Sequence, residues 1–240
     1  MSLNENKFKK TMTLYSDKNI IDSWLQNAKP WISAIQNNEI ESRSLITNKA
    51  IKDLILEKKP KKVLDIGCGE GWLARELNSA GVDVYGIDIV PQLIDEANKH
   101  GCGKFQVLPY EDLFQETIKE KHDIAVCNFS LLGNESVAMI FQNISGLLNE
   151  NGYFIVQTIH PISGCGDEEY IDGWRKGTWK GFSDSFTNPP PWYYRTLETW
   201  KDLFLSNGFS ISEIIEPLNP KTKSFASIIF VSKTETNVNN

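Results

Sequence analysis

Three glycines alternate at Gly67, Gly69 and Gly71, where the apolar run "KVLDI" gives way to the helix-like "WLARELNS". An acidic residue, Asp88, closes the next apolar run nineteen positions beyond Gly69. Glycine turns the backbone tightly and lets a ligand lie against it with no Cβ between them, and the amides that open the following helix then face that ligand. A carboxylate at the end of the adjacent strand is suited to accept hydrogen bonds from the two hydroxyls of a ribose. Asp88 has one competing role, as the N-cap of a helix that begins at Pro91.

A ribose-binding acid after a glycine turn serves NAD and S-adenosylmethionine equally, so the turn itself has to separate them. A dinucleotide fingerprint places its third glycine three residues after the second, and its helix N-terminus receives a pyrophosphate. Here Trp72 occupies that place. Asp65 and Glu70 stand inside the turn, where they oppose a pyrophosphate and suit a ligand that carries an ammonium and a sulfonium. Charge sign favours the methyl donor.

Positioning such a turn takes a parallel sheet. Apolar runs bounded by turn residues recur at Lys62–Ile66, Asp83–Ile87, Lys104–Leu108, Ile124–Asn128 and Tyr153–Thr158. Between them Trp72–Ser79, Pro91–Lys99, Leu113–Lys119 and Ser136–Leu148 read as helices. Strands that alternate with helices make parallel βαβ units. Two later β-rich segments, "FSISEIIEP" and "SFASIIFVSK", are joined by "LNPKTK", which is too short for a crossover helix, so they are expected to pair antiparallel. The chain reads as one domain: an N-terminal cap over 1–58, helical from Lys7 to Lys58, then a donor-binding core over 61–160. An irregular Gly-, Pro- and Trp-rich segment over 161–195 has the length and composition of a functional lid, followed by a last helix and hairpin over 196–233 and a polar tail over 234–240 expected to be disordered.

Composition narrows the function classes. The chain has 240 residues, 25 Lys and Arg against 31 Asp and Glu, and a net charge of −6, which disfavours a broad footprint for nucleic acid. Cys68, Cys102, Cys127 and Cys165 form no CxxC pair and have no histidines at ligand spacing, so neither a metal site nor a disulfide framework is expected. No apolar run reaches the length of a membrane span, and "MSLNENKFKK" lacks the apolar centre of a signal peptide. A cytoplasmic protein with no membrane partner is expected, either monomer or homodimer.

"VLDIGCGEGWLAREL", "VYGIDIV" and "YEDL" resemble the first three motifs of the class I S-adenosylmethionine-dependent methyltransferases, over roughly 61–233. "NFSLL", "LLNENGYFIVQTIHP", "DGWR", "PPPWYYRTLETW" and "GFSISEIIEP" further resemble a bacterial small-molecule-type group of that family with generally unassigned substrates. The resemblance implies an α/β, Rossmann-like, seven-stranded mixed sheet of order 3-2-1-4-5-7-6 with strand 7 antiparallel. It implies S-adenosylmethionine as the donor, with Gly67 and Gly69 against the methionine part and Asp88 on the ribose. Tyr110, Glu111 and Asp112 then flank the adenine, Asp65, Cys68 and Ile89 complete the donor wall, and Asn128 and Phe129 border the methyl-transfer point.

A methionine carboxylate in a cleft also calls for a cation. Arg43, in "IESRSLITNKAI", either grips it as a bidentate fork or is an ordinary solvated helix residue. On the acceptor side His160, in "TIHP", is either a general base or a structural histidine, with Asn128 beside the reacting end. Trp174, Trp179, Phe182, Trp192, Tyr193 and Tyr194 either pack a flat acceptor or shield the sulfonium, or else fasten the 161–195 segment to the core. Arg175 and Arg195 either receive an acidic substrate or pair with Asp167, Glu168, Glu169 and Asp172. The leading expectation is a methyltransferase acting on a small molecule. A tRNA-modifying enzyme and a non-catalytic donor-binding module are the alternatives.

Overall fold

Neighbouring residues of strand β1 (Lys62–Ile66) are buried on opposite sides, Val63 in one apolar cluster and Leu64 in another. A strand covered on both faces needs no polar alternation, which is why "KVLDI" reads as a continuous apolar run. The computed structural model describes residues 15–234. In it β1 is flanked by β2 (Asp83–Asp88) and β4 (His122–Asn128), and the seven-stranded sheet is completed by β3 (Lys104–Val107), β5 (Leu148–Thr158), β8 (Phe209–Ile215) and β9 (Ile228–Thr234). Its order is β3-β2-β1-β4-β5-β9-β8. Strands β1 to β5 pair parallel, and β9 runs antiparallel to both β5 and β8. A separate ribbon, β6 (Gly173–Arg175) with β7 (Trp192–Tyr194), falls between β5 and β8 in sequence, so the order is the expected 3-2-1-4-5-7-6 with the ribbon's two numbers inserted.

On one face α5 (Glu135–Asn143) and α7 (Leu197–Ser206) cover the sheet, bringing Phe141 and Phe204 onto Phe154, Phe209 and Phe230. On the other, α2 (Asn48–Glu57) and α3 (Trp72–Ser79) bury Ile51, Leu54, Ile55, Leu73 and Leu77. Each of these side chains contributes about 1.5–3 kcal/mol when removed from water. Helix α4 (Pro91–Lys99) follows β2, and the long α1 (Asp17–Gln36) packs on it across the carboxyl ends of the strands. A single π-helical turn, Arg43–Thr47, leads into α2. No helix among the described residues is long and apolar enough to cross a membrane.

Three expectations change. Leu113–Lys119 is not a helix: a 3-10 turn at Tyr110–Asp112 is followed by turns, because Leu113 and Ile118, its two fully buried residues, lie five apart and cannot share a helical face. The helix expected over Ser136–Leu148 stops at Asn143 and tightens into a 3-10 turn, Ile144–Leu147, while β5 starts earlier, at Leu148. The 161–195 segment is not wholly irregular, since it holds the short helix α6 (Pro161–Cys165) and the β6–β7 ribbon. The first residues of the expected cap (1–14) and the tail beyond Thr234 lie outside the described residues, and Thr234 itself ends β9.

Candidate active site

Strands β1, β2 and β4 end at one cavity of about 650 Å³. Gly67 and Cys68 donate their amides to the Ile87 carbonyl at 2.8 and 2.9 Å, which folds the turn back onto β2. Gly67 has a φ of 74°, and a Cβ there would meet the Ser130 side chain at 2.3 Å, so this position admits only glycine. Gly69, at φ 59°, is open instead: the nearest atom to an added Cβ is Trp31 Nε1 at 3.9 Å. The first glycine permits close packing and the second leaves ligand room.

Asp88 ties the two loops together. Its Oδ2 accepts from the Gly69 amide at 3.0 Å and its Oδ1 from the Val90 amide at 2.9 Å. Each carboxylate oxygen accepts more than one hydrogen bond, so capacity for hydroxyls remains. The helix begun at Pro91 is capped by Val90 without a side chain, and Asp88 is not its N-cap. Burial raises the Asp88 pKa to about 6, opposed by its backbone donors. Asp65, 2% exposed, is pushed to about 7 by burial and then by the charges of Asp88 and Glu70. Its Oδ2 has no hydrogen-bond partner, and neither has Glu70 Oε1, although Glu70 Oε2 pairs with Arg75. Three carboxylates crowd a buried turn, and two of them hold unspent acceptors.

Across from them stands Arg43, at the start of the π-helical turn. Its guanidinium lies 5.4 Å from the Trp31 ring centre and 5.2 Å from that of Trp72, and its Nη2 is buried without a partner. Desolvation lowers its pKa to about 10, so it is cationic at neutral pH. At the end of β4, Phe129 takes a left-handed φ of 54°, held by its amide on the Gln157 carbonyl at 2.8 Å. A bulky residue rarely adopts this conformation. Beside it Asn128 Oδ1 is buried and unpartnered. Asn128, Phe129, Ile89, Tyr110 and Glu111 all line the cavity, whereas Asp112 is exposed and does not.

The other half of the cavity is aromatic. Trp24 and Trp31 come from α1, and Trp179, Phe182 and Trp192 from the 161–195 segment. Trp24 meets both Trp31 and Trp179 edge-on at 5.0 and 5.8 Å, and Phe182 lies 28° from parallel to Trp31 at 6.4 Å. Ser23 Oγ donates to the Asn188 carbonyl at 2.5 Å and Asn188 Nδ2 to Gln26 Oε1 at 2.7 Å, joining α1 to the segment. At its other end Asp17 accepts the amides of Asn134 and Ser136 at 2.9 and 2.7 Å, pinning α1 to the start of α5.

Several expected site residues stand elsewhere. His160 is 1% exposed and does not border the cavity: its Nε2 lies 2.9 Å from Glu216 Oε1, its Nδ1 accepts from the Ile162 amide at 3.2 Å, and its ring stacks on Phe225 at 4.0 Å. With both nitrogens engaged it has none left for a substrate proton, so the base role is corrected to a structural one. Trp174 packs edge-on against Tyr193 at 5.6 Å, outside the cavity wall. Tyr194 is buried and donates to the Pro161 carbonyl at 3.0 Å, fastening the segment. Arg195 donates to the carbonyls of Gly133 and Asn134 and sits over the Tyr193 and Trp200 rings. Arg175 pairs with Glu168. Of the aromatics expected on the acceptor, Trp179, Phe182 and Trp192 line the cavity.

Trp24, Trp31, Trp72 and Ser130 were not among the expected site residues. The first two had a signal: seven positions apart, they share one face of a helix, with Ile20 on the same stripe.

Comparison with known proteins adds to this geometry. A family profile described as a methyltransferase domain matches residues 41–214. An uncharacterized protein of Haemophilus influenzae is 26% identical over 209 residues, covering 77% of this chain and 81% of its own. A ubiquinone biosynthesis O-methyltransferase of Actinobacillus pleuropneumoniae is 33% identical over 108 residues, which is 42% of this chain and 46% of that enzyme, so the match spans less than half of it. Among solved structures, an S-adenosylmethionine-dependent methyltransferase from Clostridium acetobutylicum superimposes with a TM-score of 0.63 at 16% identity, covering 81% of this chain and 94% of that one. The 1,6-didemethyltoxoflavin-N1-methyltransferase of Burkholderia thailandensis gives 0.61 at 17% identity, with 87% of each chain covered. Both show the same fold.

Proposed function

We propose that this chain, which belongs to the methyltransferase-domain family matched over residues 41–214, moves the methyl group of S-adenosylmethionine to a small-molecule acceptor. One observation carries the donor assignment. A buried guanidinium nitrogen without a partner, on Arg43, shares a cavity with buried carboxylate oxygens without partners, on Asp65 and Glu70. Buried polar groups are ordinarily hydrogen-bonded, and a ligand end bearing both a carboxylate and an ammonium would satisfy both sets together. The opening over Gly69 leaves space for that end, and Asp88 stands where a ribose would be held.

The donor supplies an electrophilic methyl carbon on a sulfonium. The protein's own part is to orient it and exclude water. Arg43, held between Trp31 and Trp72, fixes one end, and Asp88, braced by Gly69 and Val90, fixes the sugar. Helix α1 and the 176–192 stretch form the lid over the acceptor half. The ubiquinone-enzyme match and the aromatic acceptor half support a small molecule over a nucleic acid, as does the net charge of −6.

Calorimetry tests this reading. S-adenosylmethionine and S-adenosylhomocysteine are expected to bind, and Asp88→Ala to weaken both by about tenfold or more, the value of one or two charge-assisted hydrogen bonds. Tighter binding of NAD than of either by the wild-type protein would overturn the donor assignment.

A further inference from the structure

Trp31 stands ahead of residues 41–214, where the family profile matches, yet its side chain reaches the glycine turn. Its Nε1 lies 3.9 Å from the position of a Cβ on Gly69. Apart from Gly69's own chain neighbours, no other atom lies within 4 Å of that position, and both residues line the cavity. Trp179 Nε1 donates to the Thr187 carbonyl, whereas Trp31 Nε1 has no hydrogen-bond partner among the described residues. A ligand end resting on Gly69 therefore lies beside an N–H that the protein leaves unused.

An indole N–H can only donate a hydrogen bond. The Arg43 guanidinium, 5.4 Å from the centre of the same indole, can also only donate, and its Nη2 is buried without a partner. Unused donors on two neighbouring groups call for a ligand group that only accepts, and in the amino-acid end of S-adenosylmethionine that group is the carboxylate. The ammonium can only donate, and the unpartnered acceptors of the cavity are Asp65 Oδ2, Glu70 Oε1 and Asn128 Oδ1. Hydrogen-bond polarity thus sorts the two charges of that end. The indole is also braced beforehand: Trp24 meets it edge-on at 5.0 Å, Phe182 lies 28° from parallel at 6.4 Å, and Arg43 stands against its ring. A side chain already held by three neighbours loses little freedom when it makes one more bond.

Resting on the methyltransferase reading above, we propose that Trp31 is a specificity-determining residue of the donor site, whose indole N–H donates to the methionine carboxylate that Arg43 holds. Asp88 and the turn then read the nucleoside, while α1 reads the amino-acid end. A thioether of adenosine that lacks the carboxylate forfeits the indole contact and leaves Arg43 Nη2 buried and unpaired, so it should bind far more weakly.

The test compares S-adenosylhomocysteine with its decarboxylated analogue, which keeps adenosine, sulfur and ammonium, each at concentrations that saturate the full chain. Calorimetry of the wild type with S-adenosylhomocysteine comes first, and no binding there would sink the methyltransferase reading itself. Trp31→Phe keeps an aromatic ring and removes the N–H. It should weaken S-adenosylhomocysteine roughly tenfold or more, as expected for a hydrogen bond to a charged group, and leave the affinity of the analogue unchanged. Nitrogen-15 spectra of the wild type supply a readout that mere bracing of Arg43 would not move: the Trp31 indole N–H resonance should shift downfield with S-adenosylhomocysteine and stay in place with the analogue. If Trp31→Phe fails to fold, that resonance decides alone. No loss of S-adenosylhomocysteine affinity in a folded variant, an equal loss for both ligands, or an indole resonance that stays in place or answers both ligands alike would each overturn the proposal.

Discussion

Asn27 and Thr187, 160 residues apart in the chain, exchange two hydrogen bonds: Asn27 Nδ2 donates to the Thr187 carbonyl at 2.7 Å, and the Thr187 amide donates to Asn27 Oδ1 at 2.9 Å. The asparagine is fully buried, and it treats a stretch of loop backbone as a neighbouring strand would. Trp179 Nε1 adds a third bond to the same carbonyl at 2.9 Å. Helix α1 and the 176–192 stretch are thereby fastened together as one side, or roof, of the cavity.

Replacing Asn27 by leucine keeps the volume and removes both bonds, leaving the Thr187 amide without its partner at a cost of about 1–3 kcal/mol. Limited proteolysis within 176–190 should become about tenfold faster, and the acceptor KM should rise more than the donor Kd. Unchanged proteolysis would show that the roof is held mainly by its aromatic contacts.

Asp65 is expected to link donor binding to pH. Its pKa is raised to about 7, so the ligand-free folded state keeps a proton that the unfolded chain has lost above about pH 4. Stability of the ligand-free protein therefore falls as pH rises through this interval, and the full penalty is present above pH 7. Binding of a cationic donor requires the ionised form and should weaken as pH drops below 7. Asp65→Asn should raise ligand-free stability at pH 8 by about 2 kcal/mol, remove Asp65's share of the pH dependence while leaving that of Asp88, whose pKa is raised to about 6, and cost donor affinity. Thermal melts and calorimetry at pH 6 and 8 check both signs.

Arg43→Lys retains a charge and loses the planar fork and the stacking on Trp31 and Trp72. Donor affinity should fall about tenfold, as expected for one charge-assisted contact, with little change in the far-ultraviolet circular dichroism. Equal affinity at low ionic strength would place the donor carboxylate elsewhere.

The sheet and the glycine turn were legible because their signals are local. A strand buried on both faces must be apolar throughout, as "KVLDI" is, and an acid at the end of β2 next to a glycine turn is a matter of spacing. The antiparallel end of the sheet followed from the shortness of "LNPKTK". The acceptor side was not legible in the same way. Whether His160 turns into the cavity or away from it depends on Glu216 and Phe225, more than fifty residues later in the chain, which hold its ring and one nitrogen. Tyr194 and Arg195 look available in sequence, yet backbone carbonyls at Pro161, Gly133 and Asn134 claim them. Aromatic and basic residues announce that they will pack, without announcing against what.

His160→Ala should act on stability alone. It removes a buried stacked ring and its hydrogen bonds, worth about 2–3 kcal/mol, which lowers the melting temperature by roughly 4–12 °C in a chain of this size. At temperatures where the variant is folded, kcat and its pH profile should match the wild type. A selective loss of kcat of about a hundredfold would return His160 to the chemistry.

Helix α1 and the stretch joined to it through Asn27 and Thr187 border one cavity, with Trp31 of α1 near Gly69 as well as against Trp24. A connection of this kind is expected to tie the departure of the spent donor to the parting of a helix and a loop, so loosening the Asn27–Thr187 bonds should shorten its residence time.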